Sequence, residues 1–445
     1  ANTAANNLPS YKNMCKWIET NCESVMKELQ SKQLDYIVQL FGEGDEAPDM
    51  NWVSQLEVNP KTGHAATTVE NIRIIVKNDP RFKGTFYWDE FMERPMVCGD
   101  LPWRKADAKP RSWDDTDDAG VHNVLEKDYK IDSMPKTREG VDLALADITR
   151  HPVREYLRSL IWDGEKRCET LFIDYLGAED SRYTRTVTRK ALIGAAARIL
   201  SPGCKHDHML VLIGPQGCRK STTLKKLGKE WFSDSLYTMS GKDAYEQLQG
   251  FWIIELSEMA ATRKAEVEQI KQFVSKQEDN YRAAYARRTQ CHPRQCAFFG
   301  TTNDEEFLRD PTGARRFWPV VVTDAGKTLG DKLTASIVDQ IWAEAVTYYE
   351  AGETWYLDGA VEEMARKVQA DHTEANGKLG LIENFLEVLL PEGWDDWDLE
   401  KRLMFWSGGF GEERNGTVPR TKVCALEVWQ ELFKGDPKSY SQTQA

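Results

Sequence analysis

The chain of 445 residues has no apolar run long enough to cross a membrane. The longest, such as Ala191 to Leu200, is broken by Arg198 and falls far short of the roughly 20 residues a span requires. The opening segment ANTAANNLPSYK has neither a basic stretch nor an apolar core, so it does not read as a secretory signal. These two absences predict a cytoplasmic protein with no membrane partner. Cysteines number 9, odd and scattered, with no C-x-x-C pair among them, which fits reduced thiols better than a disulfide framework. The short segments PGCKHDHM and CHPRQC also lack the spacing of ordinary zinc ligands. Positive charge is the remaining shortage. With 58 Lys and Arg against 71 Asp and Glu, the formal charge is −13, which excludes a surface built throughout for phosphate backbones. No internal repeat of solenoid length is visible.

What the chain does contain is a strand, a glycine turn and a helix start in one register. In HMLVLIGPQGCRKSTTLKKL the apolar run HMLVLI reads as a buried strand. Gly214, Pro215, Gln216 and Gly217 form the turn, Cys218 and Arg219 follow, and Lys220, Ser221 and Thr222 open a helix. Such a loop surrounds phosphates with backbone N–H groups and adds the dipole of the helix N-terminus. Lys220 would reach the β and γ phosphates of ATP, and Ser221 would offer its hydroxyl to Mg²⁺. Cys218 reads as a small filler.

Two further apolar strands carry polar groups at their ends. In GFWIIELSEM, Glu255 follows the apolar run directly and would sit near the metal, with Glu258 as the water-orienting base. In CAFFGTTND the strand ends on Thr301, Thr302 and Asn303, and an amide there can orient an attacking water. DPTGARRFWPV then sets Arg315 and Arg316 after a turn, where an arginine projecting to a neighbouring subunit would stabilise transition-state charge.

A basic island interrupts the acidic chain. Between Ala261 and Cys296 there are eight Lys and Arg against four acids. Tyr281 to Ala286 and Gln295 to Phe299 would pair as a hairpin whose tip carries Arg287, Arg288, His292 and Arg294. A basic tip of this kind suits a DNA backbone, single-stranded in a channel. The alternative is that some of these arginines pair with nearby acids or serve the nucleotide.

Strands separated by helical stretches predict an α/β fold with a central parallel sheet. The organisation reads as an N-terminal α+β region over 1–118, a helical collar-like unit over 119–180, the loop-bearing domain over 181–352 and a mostly helical C-terminal region over 353–445. The first region mixes a helical pattern, Tyr11 to Phe41, with a helix and strand in TVENIRIIVKNDPRFKGTFYWDEF. The boundary falls in the turn-rich run RKADAKPRSWDDTDDAG, whose Asp114, Asp115, Asp117 and Asp118 read as a solvated linker. In HPVREYLRSLIWDG, Val153, Leu157, Leu160 and Ile161 recur at helix spacing. The stretch SGGFGEERNG reads as a surface loop, and the last residues begin like a helical domain and stop abruptly, as in a piece of a longer product.

Taken in order, WDGEKR, the phosphate loop, GKDAYEQLQGFWIIELSEM, DNYRAAYARR, PRQCAFFGTTND, DPTGARRFWPV and IWAEAV resemble the virulence-associated E family of phages, prophages and genomic islands. The resemblance is dense from about Val153 to Val346. It implies an AAA+-type P-loop ATPase related to superfamily 3 helicases, a homo-oligomer in the form of a hexameric ring that translocates on or unwinds DNA. Lys220 and Ser221 match the Walker A positions, Glu255 and Glu258 the Walker B, Asn303 sensor 1, and Arg315 with Arg316 the following arginine pair. Many members carry a primase-like domain upstream, of which this chain shows no signature.

The departure is Arg219, which stands where the motif has its second glycine. A left-handed backbone there costs a residue with a Cβ about 1 kcal/mol. That is small beside the remaining loop contacts, and an extra cation would favour a triphosphate. A nucleotide-binding assembly or DNA-binding module with weak or no hydrolysis, and a small-molecule kinase with the same loop, remain as alternative readings.

Overall fold

The structure, a computed structural model, describes residue 28 and residues 51–241, 243–257, 264–281, 289–305, 307–308, 314–372, 377–407 and 416–435. Apart from Glu28, the helix expected over Tyr11 to Phe41 lies outside them, as does most of SGGFGEERNG.

Thr68 accepts a hydrogen bond from the Asn71 N–H and so starts helix α1 (Val69–Asn78), which buries Ile72, Ile75 and Val76. Strands β1 (Phe86–Asp89) and β2 (Arg94–Val97) pair antiparallel, with β3 (Arg111–Ser112) beside β2. Asp114 then caps helix α2 (Asp115–Tyr129) through a capping box with Asp117. The Asp117 side chain is fully buried and accepts from Trp103 Nε1 and both Arg111 terminal nitrogens. The acidic run is therefore a helix start, not a solvated linker: its carboxylates satisfy the orphan N–H groups of the first turn.

Helix α3 (Met134–Asp147) packs on α1, and β4 (Thr149–Arg150) joins β1 in parallel. Close approach depends on Gly140, where a Cβ would stand 2.4 Å from Ile72 Cγ2. One apolar core joins Trp52, Ile72, Leu125 and Leu145. It is continuous across residue 118, where composition suggested a boundary, and takes in α2 and α3, which the sequence grouped with a collar.

Helices α4 (Pro152–Ser159) and α5 (Leu171–Leu176) lead to α6 (Arg182–Leu200), capped by Ser181. Val153 and Leu157 are fully buried as their spacing predicts, whereas Ile161 lies beyond the helix and is 84% exposed. The main sheet follows, with β5 (Met209–Ile213), helix α7 (Lys220–Gly228), β6 (Phe232–Ser233) and β7 (Ile253–Leu256). Helix α8 (Lys264–Val274) and a separate antiparallel pair, β8 (Glu278–Tyr281) and β9 (Gln290–Pro293), come next, and β10 (Ala297–Thr302) and β11 (Phe317–Val321) complete the main sheet. The five strands run in the order β11-β5-β10-β7-β6, all parallel.

Side chains leave this sheet alternately. Leu210, Leu212, Phe299 and Trp318 enter a core with α6, α7 and helix α9 (Ala335–Glu350), while Met209, Val211, Ile213 and Phe298 enter another with α8. A sheet covered on both faces needs apolar residues at every position, as β5 has. The fold is thus mixed α/β with a parallel sheet, as expected, and helix α10 (Gly359–Asp371) packs beside β11.

The basic hairpin has a different register from the one its sequence suggested. Glu278 pairs with Pro293 and Tyr281 with Gln290. Ala297 to Phe299, expected in the hairpin, belong to β10 in the main sheet, where both of their faces are buried. Beyond α10 the described residues are mostly helical and enclose a small cluster of Leu390, Trp394 and Phe405. Among the described residues no helix is long and apolar enough to cross a membrane.

Candidate functional site

The backbone at the end of β5 is shaped by three positions. Gly214 donates its N–H to Thr302 O at 3.2 Å, and a Cβ there would stand 2.4 Å from Val322 O. Gly217 has φ +84° and Arg219 φ +67°, so the position of the missing glycine does take the left-handed backbone that glycine favours. Helix α7 begins at the next residue.

Into this loop the side chains converge. Lys220 is buried, and its Nζ donates to Gly214 O at 2.6 Å, Pro215 O at 3.0 Å and Asn303 Oδ1 at 3.0 Å. Ser221 Oγ and Thr301 Oγ1 both donate to Glu255 Oε1, each at 2.6 Å. Glu255 is 1% exposed, and among the described residues its Oε2 has no hydrogen-bond partner. A buried carboxylate oxygen left unpaired is costly, and the cost falls when a cation arrives. Hydroxyl and carboxylate oxygens are the donor set that Mg²⁺ prefers. The residues present therefore fit such an ion, which Ser221 and Glu255 would hold.

The cleft in front of them has a volume of about 510 Å³. Gln216, Gly217, Cys218, Arg219, Lys220, Ser221 and Thr222 form its floor, with Thr301, Thr302 and Asn303 on one side. Two lining residues were not singled out from the sequence. Ser257 had a signal, two places after Glu255 at the exit of β7. Lys327 had none, because it arrives from more than a hundred residues away through the pairing of β11 with β5.

Arg219 does not point its charge freely at the cleft. Its Nε donates to Lys327 O at 3.1 Å and its Nη2 to Asp331 Oδ2 at 2.9 Å, so the extra cation expected for a triphosphate makes its hydrogen bonds to the 327–331 turn of its own chain.

The arginine pair lies at the other end of the sheet. Phe317 is level with Met209 and Val321 with Ile213, so a whole strand, about 16 Å, separates Arg315 and Arg316 from the loop that follows Ile213. Arg316 is half-buried and donates from Nε to Ser275 Oγ at 2.8 Å. Arg315 is exposed at a cleft of about 410 Å³ that also includes Lys205, Asp207 and His208. Burial lowers the pKa of the His208 imidazole, which stacks on Trp318 at 4.5 Å; Asp207 opposes the shift and Arg315 adds to it.

Of the four residues expected to contact DNA, Arg294 is buried and His292 half-buried. Arg294 is 3% exposed and holds the Asp279 carboxylate with Nε at 2.6 Å and Nη2 at 3.0 Å. It is a buried ion pair that fastens the hairpin, because a guanidinium enclosed among Phe273 and Phe298 must be paired. His292 stacks on Tyr281 at 4.0 Å and bonds Glu93 through Nδ1 at 2.6 Å, tying the hairpin to the N-terminal unit. Arg287, Arg288 and Glu258 lie outside the described residues.

Fold and site together define a mixed α/β protein with a cleft at the carboxyl edge of a parallel sheet, floored by a glycine turn and the start of a helix. Residues 157–374, just under half of the chain, match the virulence-associated protein E-like domain, and that segment belongs to this family. No curated protein matches the chain. Among solved structures it is similar to the apo C-terminal region (305-718) of NrS-1, with 14% identity and TM-score 0.35 over 78% of this chain and 82% of that one. A second apo structure of the same region, the A form, gives 14% identity and TM-score 0.39 over 81% and 89%.

Proposed function

We propose that the chain is an Mg²⁺-dependent ATPase of AAA+ type that acts as a homo-oligomeric, hexameric ring, translocating on or unwinding DNA in the replication of a phage or mobile element. The observation that carries the reading is Glu255: its Oε1 accepts from both Ser221 and Thr301, while its buried Oε2 has no partner among the described residues. A turn that merely connected a strand to a helix would have no use for a buried, half-satisfied carboxylate.

In this reading Lys220 exchanges the carbonyls of Gly214 and Pro215 for phosphate oxygens, and the loop N–H groups supply the remaining donors. Mg²⁺, when bound, supplies Lewis acidity at the phosphate oxygens. Asn303, which already touches the lysine, orients the attacking water, and Glu258 takes its proton. Arg315 stabilises the developing charge from the neighbouring subunit, and DNA is gripped by Arg287 and Arg288.

ATP turnover with and without single-stranded DNA tests the proposal. Lys220→Ala is expected to lower turnover about a hundredfold or more, as removal of one aimed electrostatic donor does elsewhere, and DNA is expected to stimulate the parent protein. ATP binding without turnover would replace the proposal with a binding module. Turnover indifferent to DNA would favour a small-molecule kinase.

A further inference from the structure

The turn that carries Lys327 is built onto the phosphate loop. Gly326 sits so close that a Cβ would stand 2.4 Å from Cys218 O, and Gly330 lies against the Arg219 side chain, with Cδ at 3.0 Å from a Cβ built there. Arg219 binds Lys327 O and Asp331, and Lys226 of α7 donates from Nζ to Gly330 O at 2.8 Å and Leu333 O at 2.9 Å. These contacts fix the backbone of Lys327, while its side chain remains half-exposed at the rim of the cleft. Its Nζ is held by Asp324 at 2.9 Å, with both partners well exposed, and pairs of that kind hold weakly.

We propose that Lys327 is a second phosphate ligand of this site, and that Arg219, in place of the loop glycine, is the positioning residue that docks the Lys327 turn onto the loop. When a nucleotide enters, the Lys327 ammonium leaves Asp324 for a phosphate oxygen. The backbone strain at Arg219 is thereby offset by a preorganised cation, which an unclamped lysine on a surface turn would not provide. The inference rests on the proposal that the cleft binds ATP.

The test titrates ATP, with Mg²⁺, into the full chain and into three variants at low and high salt. Lys327→Met is expected to weaken ATP binding about three- to tenfold at low salt, with a smaller difference at high salt. Asp324→Asn, which frees the ammonium, is expected to tighten binding about two- to threefold at low salt. Arg219→Gly is expected to weaken it in the same direction as Lys327→Met. Opposite signs for Lys327→Met and Asp324→Asn cannot come from misfolding, and if Lys327→Met fails to fold, tightening in Asp324→Asn alone supports the assignment. Parent-like affinity in Asp324→Asn together with either parent-like affinity or no folding in Lys327→Met overturns it while leaving the ATP site intact. A parent protein that binds no ATP overturns both.

Discussion

His206 is an imidazole enclosed on all sides, 5% exposed, whose Nδ1 has no hydrogen-bond partner among the described residues. Burial, reinforced by the positive charge of Arg198 and by His208, holds its pKa well below the usual value. In the unfolded chain the same group titrates near 6.5. The sign follows directly. Between that value and the depressed one the unfolded state binds a proton that the folded state refuses, so stability falls as pH drops below about 6.5. One such group contributes a slope of at most about 1.4 kcal/mol per pH unit. Urea unfolding at pH 7.5, 6.0 and 5.0 measures it. The His206→Leu variant is expected to lose less stability than the parent on acidification, whatever its stability at pH 7.5. Equal slopes in the two proteins would mean that His206 remains neutral in both states or is charged in both.

The same ring constrains the helix behind it. Gly194 lies in the interior of α6, where alanine ordinarily stabilises by about 1 kcal/mol relative to glycine. Here an added Cβ would stand 2.4 Å from His206 Cε1 and 2.6 Å from Nδ1, with both residues buried and neither able to yield toward solvent. Overpacking then outweighs propensity, and Gly194→Ala is expected to destabilise by about 1 to 3 kcal/mol in denaturant unfolding. A stabilised variant would show that the ring has room to move.

Elements made of continuous apolar runs were legible in the sequence. The buried strands β5, β7 and β10 and the helix α6 stand where periodicity set them, because a sheet covered on both faces leaves little choice of residue. Strand β11 was not legible as a strand. Pro319 removes a ladder donor and argues against a central strand, and β11 lies at the sheet edge, where proline is tolerated. The hairpin register and the Asp114 cap depended on competition with the rest of the chain, which no local window contains. In the site, the loop, Glu255 and Asn303 were legible because one motif and two strand ends carry them. Lys327 and Asp331 were not, since only the pairing of β11 with β5 delivers them.

At the scale of the whole molecule the arginine pair imposes a geometric condition. Arg315 is about a strand's length, roughly 16 Å, from the loop of its own chain, too far for a side chain to reach across a folded sheet. If it serves a phosphate, that phosphate is bound by another copy, and in the proposed ring each loop would face the arginine end of its neighbour. Arg316 separates from it in role, because its bond to Ser275 links the start of β11 to the segment that enters the β8–β9 hairpin. The arrangement predicts complementation. Lys220→Ala and Arg315→Ala subunits are each expected to be inactive alone, the first for lack of a loop lysine and the second for lack of an arginine in trans. Mixed one to one at random, about a quarter of the interfaces would pair an intact loop with an intact arginine. ATP turnover should therefore recover on mixing and disappear again when the subunits are held apart by dilution. No recovery, with mixed oligomers demonstrated by differential tagging, would show that Arg315 acts on nothing a neighbour binds and would leave the pair to intrachain support of the hairpin.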